Sequence, residues 1–398
     1  MDLEYSAELD RFREKVRAFI EEKSPKIKIR TGVRSPEPED VPKLQQWAKD
    51  MFDEGLHGAE WPEQWGGRPG GHPLESVVVS EELARANSPF PIGAGTLAAG
   101  ALIQYGTPEQ QTRYLPSIRS GEDIWCQLFS EPNAGSDLAS LQTRAVRDGD
   151  TYIVNGQKVW TTNGQFAHLG YLLARTDTEV DKHAGISAFA LDMTSPGVEV
   201  RPLREITGTS DFNEVFLDNV VVPAENLIGK ENDGWMVATH SLINERSGVA
   251  SAGIRLKQEM SNLIDVARGS RRGGTPSSEV GHVRQDLARL HAEVQICNYL
   301  GYMTITRALK NDFRVYDAPI GKLFFSELNL AIAEYGVRLQ GTGSILVEGD
   351  TLAVDAGHWQ DSFLYARAYT IAGGASEIMR NMISERGLGM PRDPKPAA

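Results

Sequence analysis

The sequence predicts a multidomain α+β protein: an α-helical N-terminal domain, a central antiparallel, barrel-like β domain and a C-terminal four-helix bundle. Three observations carry this. Apolar residues recur at three-to-four spacing up to residue 120, give way to short β-rich runs from 121 to 232, and return to helical spacing from 233 to 398. Strands do not alternate with helices and no GxGxxG follows a strand, which argues against a Rossmann nucleotide domain. A length of 398 residues is too great for one small core, and the expected domains are 1–120, 121–232 and 233–398.

In the first domain, Leu9, Phe12, Val16, Phe19 and Ile20 lie on one face of a helix over 7–22, which Pro25 ends. Further helices are expected over 42–54, 74–86 and 108–115. The last is the best marked, because Thr107 can cap it, Pro108 suits its first turn and Gln110 completes a capping box.

The apolar run 124–129 then leads into Ser130-Glu131-Pro132-Asn133-Ala134-Gly135-Ser136-Asp137. Hydroxyls and approachable main-chain amides behind a buried strand are what a polar ligand needs, although the same residue types also make ordinary turns. In 152–160 alternating apolar residues flank Asn155-Gly156, predicting a hairpin turn there. Runs at 169–174, 186–191, 198–201 and 214–222 predict further strands, and 223–233 closes the domain. Helices are expected over 234–256, 284–308, 320–339 and 376–387. The stretch 269–281, rich in Arg, Gly, Ser and Pro, reads as a surface loop or a docking point.

Composition narrows the function. With 41 Lys and Arg against 54 Asp and Glu, the net charge of -13 argues against binding nucleic-acid backbone or anionic membranes. No apolar run approaches membrane-spanning length, the N-terminus lacks a signal-peptide pattern, and the expected location is cytoplasmic. Cys126 and Cys297 stand far apart in apolar surroundings and read as core residues, with neither a disulfide nor a metal site expected.

Ser130 to Asp137, Asn155-Gly156, Trp160-Thr161-Thr162-Asn163-Gly164 and Gly373-Gly374-Ala375-Ser376-Glu377-Ile378, in that order, resemble the acyl-CoA dehydrogenase family over nearly the whole chain. Trp65-Gly66-Gly67, Val222-Pro223 and Arg386-Gly387-Leu388-Gly389 add to the resemblance. It implies an FAD-dependent α,β-dehydrogenation of an acyl-CoA thioester to a trans-2-enoyl-CoA, as in lipid degradation by β-oxidation. It also implies cofactor contacts at Phe129, Ser130, Gly135, Ser136, Trp160, Thr162, Arg272, Gln340, Gly341, Gly374 and Glu377, and substrate contacts at Ser136, Arg246 and Gly373. Ser130 replaces the family's usual Thr and keeps the hydroxyl. The resemblance further implies a homodimer or homotetramer and an electron-transferring flavoprotein as acceptor.

Many family members carry the catalytic glutamate where this chain has Gly373, and glycine cannot take a proton. The isovaleryl and long-chain enzymes carry it on the first helix of the C-terminal bundle, at the position of Glu245. The residues themselves point the same way: Ala238, Leu242, Glu245 and Val249 share one helical stripe, so Glu245 interrupts a face that should be buried. A buried glutamate is either a cation's partner or an acid–base group with a raised pKa, and Arg246 points elsewhere on the helix. Two alternatives stay open: an acyl-CoA oxidase, and a non-catalytic FAD-binding subunit of a hetero-oligomer.

Overall fold

The computed structural model describes residues 6–30, 32–59, 61–68, 72, 74–245, 249–310, 312 and 314–392, with the backbone alone at 242–245, 249–252 and 308. The N-terminal part comprises α1 (Ala7–Lys23), α2 (Val41–Asp53), α3 (Glu75–Arg85), α4 (Gly95–Tyr105) and α5 (Pro108–Ser120). Ser6 caps α1 by accepting the Leu9 N–H at 3.3 Å, and the Thr107–Gln110 capping box forms as expected. The sequence pattern did not reveal α4. Its residues Ala98, Ala99, Ala101 and Leu102 are all buried, and a helix apolar on most sides shows no stripe of helical period.

The central strands are β1 (Trp125–Leu128), β2 (Arg144–Asp148), β3 (Thr151–Thr162), β4 (Leu169–Arg175), β5 (Ile186–Asp192), β6 (Val198–Leu203), β7 (Phe212–Pro223) and β8 (Leu227–Ile228). They form one sheet in the order β6-β7-β3-β2-β4-β5-β8, with β1 also pairing β4. The pairing is antiparallel except that β1 and β2 run parallel to β4. Those strands are joined by the 130–143 connection and by β3, not by hairpins, so nothing forces them antiparallel.

Asn155-Gly156 is not a hairpin turn. It lies inside β3, and the reversal occurs at Gly149 (φ +59), next to the Asp148–Thr151 pair. Gly156 serves close approach instead: a Cβ there would stand 2.4 Å from Thr143 Oγ1, and the strand register shifts beside it.

The C-terminal part holds α6 (Gly234–Glu245), α7 (Val249–Gly269), α8 (Gly281–Leu309), α9 (Asp317–Gln340), α10 (His358–Ile371) and α11 (Ser376–Met382), which runs on into a wide turn over Ile383–Gly387. The single helix expected over 234–256 is two segments, and 246–248 between them lie outside the described residues. Helices α7 to α10 share a core that includes Leu256, Leu263, Leu290, Val294, Ile332 and Trp359. The α10 helix went unpredicted because its buried face mixes Trp359 and Tyr365 with Ser362 and Ala366. The 269–281 stretch is not wholly irregular: Arg271–Arg272 (β9) pairs with Thr275–Pro276 (β10) across Gly273 and Gly274, both at positive φ. No helix among the described residues is long and apolar enough to cross a membrane. Cys126 and Cys297 are buried and unpaired, and burial pushes their thiols up to about 12 and about 11, so they are inert core residues.

Candidate active site

Strand β1 delivers its chain directly into the 130–137 turn. Phe129, buried, stacks edge-on against Tyr171 at 5.0 Å, and Glu131 pairs with Ala134 across the turn. Beneath it lies an ion pair that the motifs did not announce. Lys158, with no exposed surface, donates from Nζ to the Phe129 carbonyl (3.1 Å) and to Glu131 Oε1 (2.8 Å). The same carboxylate accepts the N–H groups of Gln142 (2.6 Å) and Thr143 (2.8 Å), so one side chain ties the entry of the turn to its exit.

Burial lowers Lys158 to about 8 against the pull of Glu131. Burial also opposes the charge of Glu131, but Lys158 and the donated hydrogen bonds outweigh it and hold the carboxyl below its ordinary value. The signal was present: Lys158 falls on the period-two face of Tyr152 and Val154, which points inward.

On this base the predicted residues of the turn and of the end of β3 face outward. Ser130 is half-buried and accepts the Val159 N–H through its carbonyl at 2.9 Å, while Gly135 and Ser136 are exposed. An added Cβ at Gly135 would meet nothing within 4 Å, so its main chain can be approached. Among the described residues, the hydroxyls of Ser130, Ser136 and Thr162 have no hydrogen-bond partner in the protein. At the second irregularity of β3, between Lys158 and Thr161, Trp160 adopts φ +61 and is 60% exposed, touching Phe212 edge-on at 5.9 Å. A tryptophan in the left-handed region costs about 1–3 kcal/mol, and such strain persists where the surroundings impose it.

Helix α6 is fixed to the same framework. The Tyr171 hydroxyl lies 3.3 Å from Ser241 Oγ, and Tyr105 of α4 stacks on His240 at 5.7 Å. Glu245 is the last residue of α6, one turn beyond Ser241. Its side chain, those of Leu242 and Val249, and all of Arg246 lie outside the described residues.

The remaining predicted positions fall in two places. Arg272 donates from Nη2 to the Arg338 carbonyl at 3.2 Å, which sets the β9–β10 hairpin on the end of α9 beside Gln340 and Gly341. Gly373 (φ +64) and Gly374 (φ +99) form the turn between α10 and α11. Lys322 donates to the Gly374 carbonyl at 2.6 Å. A Cβ on Gly374 would lie 2.4 Å from Met379 Cε, whereas one on Gly373 would meet nothing within 4 Å. Glu377 is exposed, 3.9 Å from Arg380. Among the described residues, no hydrogen bond or ion pair joins Arg272, Gln340, Gly341, Gly373, Gly374 or Glu377 to the β-domain turn.

Sequence models of the acyl-CoA dehydrogenase N-terminal, middle and C-terminal domains match residues 6–122, 126–220 and 232–388 in turn. The chain belongs to the acyl-CoA dehydrogenase family. It is 41% identical over 344 residues to the acyl-CoA dehydrogenase FadE34 of Mycobacterium tuberculosis, covering 86% of this chain but 46% of that protein, so it spans less than half of that relative's length. It is 34% identical to the acyl-CoA dehydrogenase IpdE1 of the same organism, over 98% of this chain and 99% of the relative. Among solved structures, the Tcur3481–Tcur3483 steroid ACAD superposes with a TM-score of 0.87 at 31% identity, covering 99% of this chain and 100% of that one. The ChsE4–ChsE5 complex of Mycobacterium tuberculosis superposes with a TM-score of 0.84 at 28% identity, over 99% of this chain and 100% of that one. Acyl-CoA dehydrogenases are FAD-dependent oxidoreductases of lipid metabolism, and the β-domain rim suits that cofactor. An indole face held outward at a conformational cost, beside unspent hydroxyls and an open glycine main chain, matches a flat ring system with polar edges.

Proposed function

We propose that this acyl-CoA dehydrogenase takes a bulky, ring-bearing or branched acyl-CoA and converts it to the trans-2-enoyl-CoA, with Glu245 removing the α-proton. The observation that carries the reading is Gly373, which holds no acid and stands in open space where many family members place the catalytic glutamate. Proton abstraction then falls to Glu245 at the end of α6, and the volume freed at Gly373 goes to the acyl group. The likeness to a steroid ACAD, 31% identical over 99% of this chain, supports the choice of a ring-bearing substrate.

Bound FAD supplies the acceptor for the β-hydrogen as hydride. In this reading the chain divides its work by domain, with 121–232 contacting flavin and substrate and 233–398 supplying the base, further FAD contacts and oligomerisation. Phe129, Ser130, Gly135, Ser136, Trp160 and Thr162 hold the ring end of the cofactor, while Arg272, Gln340, Gly341, Gly374 and Glu377 hold its phosphate and adenosine end. The Gly373 N–H donates to the thioester oxygen, steadying the charge that develops as the α-proton leaves, and Ser136 and Arg246 sit beside the substrate. A base enclosed away from water has a raised pKa and can both take and release a proton near neutrality. An electron-transferring flavoprotein takes the electrons, in the cytoplasm, where the unpaired Cys126 and Cys297 are at home.

Oligomerisation completes the FAD site in this reading, as a homodimer or homotetramer. A second reading, a non-catalytic FAD-binding subunit of a hetero-oligomer, is favoured by the two similar structures above, Tcur3481–Tcur3483 and ChsE4–ChsE5, each of which pairs two named components. Anaerobic mixing of the purified protein with straight, branched and ring-bearing acyl-CoAs, on wild type and Glu245→Gln, tests both. The expected result is flavin bleaching by ring-bearing or branched thioesters, and a Gln variant that keeps FAD and slows by at least about a thousandfold. Bound FAD that no thioester bleaches overturns the catalytic reading in favour of the second, and rapid peroxide formation in air marks an oxidase.

A further inference from the structure

Residues 32–35 cross from the N-terminal part to both other parts of the molecule. Gly32 (φ +116) lies flat on Tyr365 of α10, where a Cβ would stand 2.3 Å from the ring. The Val33 N–H donates to the Tyr365 hydroxyl and that hydroxyl donates to the Val33 carbonyl, each at 2.9 Å.

Arg34, its side chain 6% exposed, stacks its guanidinium 3.9 Å from the centre of the Tyr365 ring. From Nη1 it reaches Asp211 Oδ2 (2.9 Å) and Thr209 Oγ1 (3.3 Å) of the β domain, and from Nη2 it reaches Asp361 Oδ2 (2.7 Å) on α10. The Ser35 N–H donates to Asp211 Oδ1 at 2.9 Å. Ser35 Oγ lies 2.9 Å from Asn163 Oδ1 and 3.0 Å from the Asp211 carbonyl.

Each partner leads to one wall of the candidate site. On the β-domain side, Asp211 precedes Phe212, whose ring meets Trp160, and Asn213, whose side chain donates to the Thr161 carbonyl at 2.9 Å. Asn163, in the left-handed region, directly follows Thr162. On the bundle side, Asp361 and Tyr365 lie on α10, which ends at Ile371, two residues before Gly373. The buried Asp211 carboxylate and the Asp361 carboxylate are thus bridged by one planar cation from two separate nitrogens while its face lies on Tyr365, a combination that the flat fork of a guanidinium provides and a tetrahedral ammonium does not reproduce.

We propose that Arg34 is a positioning residue, a clasp that sets the spacing between the Trp160–Thr162 corner of the β domain and the Gly373–Gly374 turn of the bundle. The proposal rests on the FAD chemistry of the family and not on the acyl group or on Glu245.

The test is amide hydrogen exchange and FAD affinity measured on the holoenzyme for wild type, Arg34→Lys, Asp361→Asn and the double variant. Arg34→Lys is expected to keep one cooperative thermal transition, to speed exchange at 160–163 and at 372–376 together by about tenfold, and to weaken FAD binding by about tenfold. Asp361→Asn, at a carboxylate that is 26% exposed and tolerant of change, is expected to do the same to a smaller degree. The double variant should add little beyond Arg34→Lys, because both break one bridge. Exchange that quickens only at 32–35, or at one wall alone, overturns the clasp. So do additive effects, or FAD affinities all within about twofold of wild type. If Arg34→Lys does not fold, Asp361→Asn decides the question alone by the same criteria. The exchange arm needs no substrate, so failure of the ring-bearing reading leaves this one testable and separate.

Discussion

Trp160 gives up conformational energy to stand in solvent. A residue with φ +61 whose indole is 60% exposed recovers little by packing, since Phe212 is its ring partner. Replacing it with Asn, which tolerates the left-handed region, should raise the stability of the FAD-free protein by about 1 kcal/mol. The same change should weaken FAD binding by at least about tenfold, because the aromatic face is gone. Urea unfolding of the deflavinated protein and an FAD titration read the two effects apart, and a variant that loses stability and leaves FAD affinity intact sinks the argument. The identity of Trp160 was legible in the sequence. Its strain was not, since it comes from a register shift fixed across the sheet by β7. Lys158 is the converse case: its inward phase was visible, but its partner Glu131 lies 27 positions away in a turn that reads as solvated.

At the level of elements, what the sequence conceals is whatever packs through small residues. Helices α9 and α10 meet at Gly336, where a Cβ would stand 2.0 Å from Trp359 Cε3, and Trp359 is pinned by donating from Nε1 to Asp355 Oδ2 at 2.7 Å. An indole with no exposed surface cannot retreat. Gly336→Ala should therefore cost about 1–3 kcal/mol despite the better helix propensity of alanine. The loss should appear as a lower urea midpoint at an unchanged slope, and a variant within about 0.5 kcal/mol of wild type would show that α10 can shift freely. The same concealment explains why α4 and α10 escaped a reading based on apolar stripes while α1 and α5 did not. Asn155-Gly156 misled for a related reason: its glycine answers to Thr143, just before β2, a contact outside the turn that local turn statistics cannot register.

Across the whole molecule, the order helices, sheet, helices was readable because each part keeps its own period, but the charges that join elements were not, since they pair residues far apart in the chain. One such node sits between α1 and α3. Glu82, almost wholly buried, accepts from Arg13 at 2.9 Å, Arg17 at 3.0 Å and Arg85 at 2.6 Å, and Arg13 also reaches Glu81 at 2.6 Å. A cavity of about 310 Å³ beside it is walled by both these helices and by Ile254, Lys257 and Gln258 of α7, so the node borders the seam between the first and last parts of the chain. Burial works against the Glu82 charge, but the hydrogen bonds from Arg17, Arg85 and Arg13 outweigh it and draw the carboxyl from 4.5 down to about 2. Between those values the unfolded chain binds the proton and the folded chain does not. The stabilisation is therefore complete above pH 4.5 and is lost as the pH falls toward 2. Glu82→Gln should lower the thermal midpoint at neutral pH by removing the anion that Arg17 and Arg85 share with Arg13, which keeps Glu81, and the gap to wild type should close as the pH falls through that window. Thermal scans of both proteins across it decide the matter: a gap that stays constant with pH would mean that the arginines hold Glu82 by shape and not by charge.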